Sequence, residues 1–167
     1  IHRSRTRTIA RTRTITITNA RTITGTIQTT TVTFTIATGD RVAAKANVTV
    51  TLVFNTSAAL STNGKITLNY PPGFFAATLN PAANAAGSTS VSSMTATSAR
   101  SGNSIVITTA VVGIAATTAF TITLSGVTMG AVTAGSATGI TVQTDADTVA
   151  SAGVASGGIF TQTTAVT

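Results

Sequence analysis

Few side chains in this sequence are able to carry out acid–base, nucleophilic or metal chemistry. The chain has one histidine, His2, and no cysteine, whereas a catalytic serine needs a histidine beside it that a carboxylate orients. Asp145 and Asp147 would share one face of a strand, but two carboxylates are few for Ca²⁺, so we interpret them as a solvated loop pair. Glycine-rich phosphate loops and zinc-ligand spacings are also missing. We therefore expect no catalytic residue, no cofactor, no metal site and no enzymatic activity.

Two asparagines lie in the acceptor pattern for N-linked sugars, Asn47-Val48-Thr49 and Asn55-Thr56-Ser57. Both have the parity of the outward face of a predicted strand, where a glycan has room. Only 8% of the residues are charged, against about 25% in a typical soluble domain, so uncharged polar and small residues must cover the surface. We predict covalent glycans at Asn47 and Asn55, with exposed Thr and Ser as O-linked acceptors.

Most of the positive charge lies near the start of the chain. The formal net charge is +7, and six of the ten Lys and Arg residues precede position 22, namely Arg3, Arg5, Arg7, Arg11, Arg13 and Arg21. Arg and Thr alternate from Arg3 to Arg13, a register that a solvated basic tail has no reason to keep. We interpret these guanidinium groups as lying along a partner and donating hydrogen bonds to carbonyls, carboxylates or sugar hydroxyls. A solvated basic tail is the other interpretation.

The first thirty residues read as one long extended segment, which we call the arm. Threonines fill most even positions from 6 to 26, and isoleucines lie between them at Ile9, Ile15, Ile17, Ile23 and Ile27. Such period-two alternation is typical of a strand whose side chains point to opposite faces. At about 3.3 Å per residue the arm would be about 100 Å long. An exposed strand is a template for pairing with another chain, so we predict that the arm completes the sheet of a neighbouring copy.

Residues 31–167 are predicted to form one β-sandwich domain. The apolar parity changes from odd at Ile27 to even at Val32, Phe34 and Ile36, which predicts a break or bulge within 28–31 because a one-residue shift reverses every side chain. Strands are predicted at 31–38, 47–55, 66–70, 91–99, 104–112, 118–128 and 138–144, with a weak one at 159–166 and a loop at 76–90. Turns are expected at Gly39-Asp40, Asn63-Gly64 and Pro71-Pro72-Gly73. This pattern favours an all-β, Ig-like or Greek-key sandwich of about seven strands.

The arm resembles the extensions of donor-strand-assembled pilus subunits. Ile15, Ile17, Ile23 and Ile27 at even spacing carry the resemblance, which implies that the extension of one subunit fills a groove in the next. Two features depart from the pattern of the chaperone–usher subunits: the cysteines of their usual disulfide are missing, and Arg21 stands where an apolar side chain is expected. That secretion route is therefore not assigned.

The body resembles Ig-like repeats of microbial and algal surface proteins. The resemblance rests on the segments KITLNYPPGF at 65–74 and FTITLSGVT at 120–128. It implies an extracellular or cell-surface location. The chain begins at Ile1 without a methionine or a hydrophobic signal region, as expected of a processed, secreted product or of part of a longer chain, and it has no apolar run long enough for a membrane span.

The expected function is that of a structural subunit of an extracellular helical filament. Strand addition is head-to-tail, and heterologous contacts that do not close generate fibres, with residues 15–27 completing one neighbour and residues 3–13 reaching the one beyond. Glycans are a further expected partner, and nucleic acid is not favoured. One alternative is a small viral capsid protein whose basic arm binds the genome, with steeply salt-dependent contacts. Another is an ice- or glycan-binding domain, which needs several Thr-X-Thr rows side by side and is checked by thermal hysteresis.

Overall fold

The computed structural model describes residues 29–77, 81–87, 95–109 and 113–162. Within these ranges the chain forms eight β-strands, one 3-10 turn at Thr38–Asp40 and no α-helix. The strands are β1 (Thr30–Ile36), β2 (Val48–Asn55), β3 (Lys65–Asn69), β4 (Ala82–Gly87), β5 (Thr95–Ser101), β6 (Ser104–Thr109), β7 (Ala119–Val127) and β8 (Thr141–Thr144). All pairs of neighbouring strands are antiparallel. The predicted all-β class is therefore confirmed.

Hydrogen bonds connect the strands in the order β1-β2-β7-β4-β5-β6-β3-β8. β2 pairs with β7, β3 with β6 and β4 with β5, so the chain is folded back on itself in nested pairs. In an Ig domain the second strand pairs with the fifth, so this order differs from the predicted Ig-like one. Only two residue pairs join β4 to β5, so the order divides there into two halves, β1-β2-β7-β4 and β5-β6-β3-β8. The buried side chains of both halves form a single core. The architecture is thus a β-sandwich.

Alternating burial along the strands builds this core. In β2 the side chains of Val48, Val50, Leu52 and Phe54 are fully buried while the residues between them are at least partly exposed. Phe54 meets Phe120 of β7 edge-on, with ring centroids 5.7 Å apart. The inward residues predicted for the other strands are also buried: Ile66, Leu68, Tyr70, Ile105, Ile107, Phe120, Ile122, Leu124, Ile140 and Val142.

The predicted turns are present, and one predicted loop is wrong. Gly64 donates its N–H to the carbonyl of Ser61, and Phe74 donates to Pro71, so the chain turns where Asn63-Gly64 and Pro71-Pro72-Gly73 predicted. Part of the predicted loop 76–90 is instead β4, which pairs with β7 over six residues. Its sequence, AANAAG, has no apolar alternation. Backbone hydrogen bonds to β7 hold this strand, and they account for the strand beyond the predicted seven.

The two ends of the sandwich are formed by different segments of the chain. β1 begins at Thr30, opposite Asn55 at the end of β2, and we call this end, with the turns at 56–59 and 115–118, the N-terminal pole. At the other end Val42 forms a parallel bridge with Phe160. We call that end, comprising residues 38–45, 128–133 and 159–162, the C-terminal pole. The eight residues of β2 separate the poles by about 25 Å.

Arg41 fixes the last described segment at the C-terminal pole. Its Nη1 donates a hydrogen bond to the carbonyl oxygen of Ser156 at 2.6 Å, and its guanidinium covers Gly157, where a Cβ would collide with it. Partial burial lowers the pKa of Arg41 from its ordinary value, but that value is so high that the group stays charged at neutral pH. This charge therefore holds the backbone of the last segment in place.

Candidate strand-addition site

The two ends of the strand order are protected to different degrees. The outer edge of β8 is covered because Ser151 donates its N–H to the carbonyl of Val142 and Val154 exchanges hydrogen bonds with Ile140. β1 lies at the opposite end of the order, and within the described residues no strand pairs with its outer edge. An unpaired edge offers a row of N–H and C=O groups to another strand. The edge of β1 is therefore the candidate site for strand addition.

An apolar groove runs beside the first half of β1. It has a volume of about 320 Å³, and it is lined by Thr29 to Val32 on one side and by Ser151, Ala152 and Val154 on the other. The groove thus lies between β1 and residues 151–154, the segment that covers the outer edge of β8. One of the lining residues, Thr29, donates a hydrogen bond from its hydroxyl to the carbonyl of Val142 at 2.7 Å. A strand inserted here would face the edge of β1 and the side chains of Val32 and Val154.

β1 itself is interrupted at the position that the parity change predicted. The register with β2 shifts between Thr30 and Thr33, and Thr31 has a φ of 52°, in the left-handed region. A β-branched residue rarely adopts this conformation, and such an irregularity is typical of a β-bulge. Beyond it Val32 and Phe34 pack against the core and Ile36 is buried. The break predicted within 28–31 is therefore confirmed at its C-terminal end.

The residues predicted to carry polymerisation precede the described part of the chain. They are Ile9, Ile15, Ile17, Ile23, Ile27, Arg11, Arg13 and Arg21, and His2 lies with them. Their role stays a prediction. The residues that line the groove beside β1, by contrast, could not be predicted, because the sequence does not reveal that 151–154 comes to lie opposite β1.

The two glycosylation sites differ in accessibility. Asn47 is exposed in a bend before β2 and has a φ of 58°, a conformation that asparagine tolerates better than most residues. Asn55 is half-buried and pairs with both Thr30 and Ala119. The hydroxyl of the adjacent Thr56 is also engaged, since it donates to the carbonyl of Ala115 at 3.0 Å. Asn47 therefore has more room for a sugar than Asn55.

We expect Asn47 to be the more highly occupied site when the chain is secreted from a eukaryotic host. Thr49→Ala should abolish the glycan at Asn47, because it removes the acceptor pattern, and should leave stability nearly unchanged, since Thr49 is exposed. Glycopeptide mass spectrometry of the wild-type and variant chains measures the occupancy. Ser57→Ala is the matched control for Asn55. Higher occupancy at Asn55 than at Asn47 would contradict the prediction.

Asp145 and Asp147 do not form a solvated pair, so that interpretation is wrong for Asp147. Asp145 is exposed and accepts the N–H of Lys65 at 2.9 Å. Asp147 is fully buried, and its two carboxylate oxygens accept the N–H groups of Ser57 and Ala58, each at 2.8 Å. Buried carboxylates need such donors. The pair thus fastens loops, and the described ranges contain no cluster of three or more His, Asp or Glu side chains.

Threonines line up across the outward face of three strands. Thr35 of β1 is paired with Thr51 of β2, which is paired in turn with Thr123 of β7. Thr33 and Thr121 flank Val53 in the next row. The sequence shows one long Thr row, which runs along the arm. The rows described here run across neighbouring strands instead. Cross-strand Thr pairs stabilise a sheet, and they make this face polar without charge.

Comparisons with known proteins leave the chain without an assigned relative, since no family model and no curated protein sequence matches it. Among the residues that the structure describes, no helix is long and apolar enough to cross a membrane.

Proposed function

We propose that this protein is a structural subunit of an extracellular filament and polymerises by lending its arm to the open edge of β1 in a neighbouring copy. The observation that carries the proposal is the groove between Thr29–Val32 and residues 151–154, which lies beside an edge that no described strand covers. Residues 1–28 of the arm precede Thr29 directly, so donor segment and acceptor edge belong to one chain.

Backbone and side chains would both contribute to this contact. The edge of β1 offers main-chain hydrogen bonds, which provide affinity in strand addition, while pockets for alternate side chains provide specificity. The isoleucines of the arm recur on one parity, and each contributes about 2 kcal/mol when it is fully buried. The groove presents Val32, Ala152 and Val154 to such side chains. The isoleucines of the arm therefore match the apolar side chains that line the groove.

The extracellular location is supported by the surface chemistry. Outward positions of β1, β2 and β7 carry threonines, and the only ion pair among the described residues joins Lys45 to Asp40 at 2.7 Å. A surface with so few charges stays soluble when it is glycosylated or covered in an assembly. Glycans at Asn47 and Asn55 belong to this proposal.

Deleting residues 1–28 is expected to abolish filament formation and to leave folded monomers. Thr29 is kept because its hydroxyl binds the carbonyl of Val142. Negative-stain imaging and sedimentation velocity compare the truncated and full-length chains, and circular dichroism checks the fold. Filaments of unchanged length from the truncated chain would overturn the proposal.

A peptide experiment then isolates the arm. The truncated chain should bind a synthetic peptide of residues 13–28. The matched control peptide has serine at positions 15, 17, 23 and 27, and we expect it to bind at least about a hundredfold more weakly, because four buried isoleucines are lost. Equal binding of the two peptides would show that arm recognition does not depend on these side chains.

A capsid protein is the second candidate, and the strand order is the observation that favours it. Six of the eight strands lie in nested pairs, β2 beside β7, β3 beside β6 and β4 beside β5, as in a jelly roll, a fold that viral capsid proteins use. The arm would then bind nucleic acid through its arginines. Fold alone does not establish function. Closed shells that protect nucleic acid from nuclease, with arm contacts that weaken steeply with salt, would decide for this candidate.

A further inference from the structure

The C-terminal pole carries the two most exposed large apolar side chains among the described residues. Phe160 is 60% exposed and Val132 is 55% exposed. Thr133 and Ile159 exchange both backbone hydrogen bonds, at 3.1 and 2.8 Å, so Val132 and Phe160 lie opposite each other on adjacent segments. We call these two residues the C-terminal patch. Isolated exposed apolar residues are common, but an adjacent pair at one end of a domain is a candidate contact.

The surroundings of the C-terminal patch suit a contact with another protein surface. Phe160 bridges to Val42, and a groove of about 360 Å³ lined in part by Val42 and Ala43 lies next to it. Two of the nearby charges neutralise each other, because Lys45 pairs with Asp40 and also donates to the carbonyl of Gly39 at 2.7 Å. Covering the patch would leave this ion pair intact and would leave the Arg41 guanidinium hydrogen-bonded to the carbonyl of Ser156.

The path of the chain indicates what covers the patch. The arm leaves from the N-terminal pole, whereas the C-terminal patch lies at the other end of β2. A copy whose N-terminal pole sits on the patch of a neighbour would start its arm at the C-terminal end of that neighbour's β1. The arm would then run toward Thr30 as its residue numbers fall. Its chain direction would therefore be parallel to β1.

We infer that the C-terminal patch binds the N-terminal pole of a second copy and that the arm of this second copy lies parallel to β1. The inference rests on the proposed polymerisation and adds its polarity. The opposite arrangement, with two N-terminal poles in contact, would make the arms antiparallel to β1 and would close as a two-fold dimer. Only the contact between unlike poles leaves both ends free and continues as a fibre.

Phe160→Asp is expected to weaken filament assembly in the chain that keeps its arm. Placing a charge in the centre of an apolar contact should raise the critical concentration for filament formation at least about tenfold, as expected of a buried aromatic anchor. The matched control is Val106→Asp, on the outward face of β6 away from both poles, which should leave the critical concentration within about threefold of the wild-type value. Sedimentation assays measure both, and circular dichroism confirms that the variants fold.

Engineered cysteines test the polarity, since the natural chain has none. Ala116 is exposed at the N-terminal pole. Thr161 is exposed beside the C-terminal patch. A mixture of Thr161→Cys and Ala116→Cys chains, with the arm intact, should be joined by a short bis-maleimide, while Ala116→Cys alone should not. Efficient dimers from Ala116→Cys alone would show contact between like poles and overturn the inference.

The remaining outcomes separate this inference from the proposed function. If the chain without residues 1–28 still forms filaments, the proposed function fails. If that truncation abolishes filaments but Phe160→Asp assembles like the wild type, the pole contact alone is wrong. Deleting residues 163–167 should leave assembly unchanged. If this deletion instead reproduces the loss seen with Phe160→Asp, the tail is needed for the contact and the inference is again wrong.

Discussion

A chain carrying Asp147→Ala is expected to unfold with a free energy about 3 kcal/mol below that of the wild type. Its carboxylate is fully buried and accepts the N–H groups of Ser57 and Ala58, both at 2.8 Å. Hydrogen bonds to a charged group contribute more than neutral ones, and truncation removes two of them at once. For a domain of this size the melting temperature should fall by about 10 °C. Urea unfolding and calorimetry measure the two quantities.

Asp145→Ala is the matched control for this substitution. Asp145 also accepts a backbone N–H, that of Lys65 at 2.9 Å, but it is exposed, so water replaces the lost contact. We expect a loss below about 1 kcal/mol. Asp147→Asn should fall between the two, because it keeps one acceptor oxygen and loses the charge. Equal stabilities for the two alanine variants would contradict the view that Asp147 fastens the loop at 57–58.

Gly130→Ala should be the second strongly destabilising change, with a loss of about 3 kcal/mol. A Cβ at position 130 would collide with the carbonyl oxygen of Gly73, and no flexible side chain is available to move aside. The backbone cannot easily shift, because Gly130 donates its N–H to Phe74 at 2.9 Å and accepts that of Ala44 at 3.1 Å. The close approach therefore joins the turn at Gly73 to the C-terminal pole.

Gly39→Ala provides the comparison for Gly130→Ala. A Cβ at Gly39 would meet no atom within 4 Å, and the residue lies in a 3-10 turn without a positive φ. Alanine there should be neutral or slightly stabilising, by about 0.5 kcal/mol, since it restricts the unfolded chain. Chemical unfolding of both variants decides the matter. Similar stabilities for the two would mean that the loops relax around the added methyl group.

The strands with clear alternation could be predicted from the sequence. β2 is the plainest example, because Val48, Val50, Leu52 and Phe54 alternate with polar residues and only one face is buried. The parity change before Val32 also predicted the irregularity that the structure places at Thr31. In both cases the signal is local, since side chains of one strand alternate between two faces.

Features that depend on distant parts of the chain could not be predicted in this way. β4 has the sequence AANAAG, and β7, more than thirty residues later, provides its hydrogen bonds. Asp147 is buried because a loop ninety residues earlier comes to lie against it. The groove beside β1 likewise lies between Thr29–Val32 and residues 151–154. Local propensity carries no information about such tertiary contacts.

The left-handed backbone conformation of Thr31 affects which insertions and deletions the chain tolerates near this residue. The extra residue accommodated between Thr30 and Thr33 lets odd-numbered apolar residues precede the bulge and even-numbered ones follow it. Adding or deleting one residue here would invert the alternation of everything upstream relative to the body, whereas a two-residue change would preserve it. We therefore expect insertions and deletions of two residues in this stretch to be tolerated better than those of one residue.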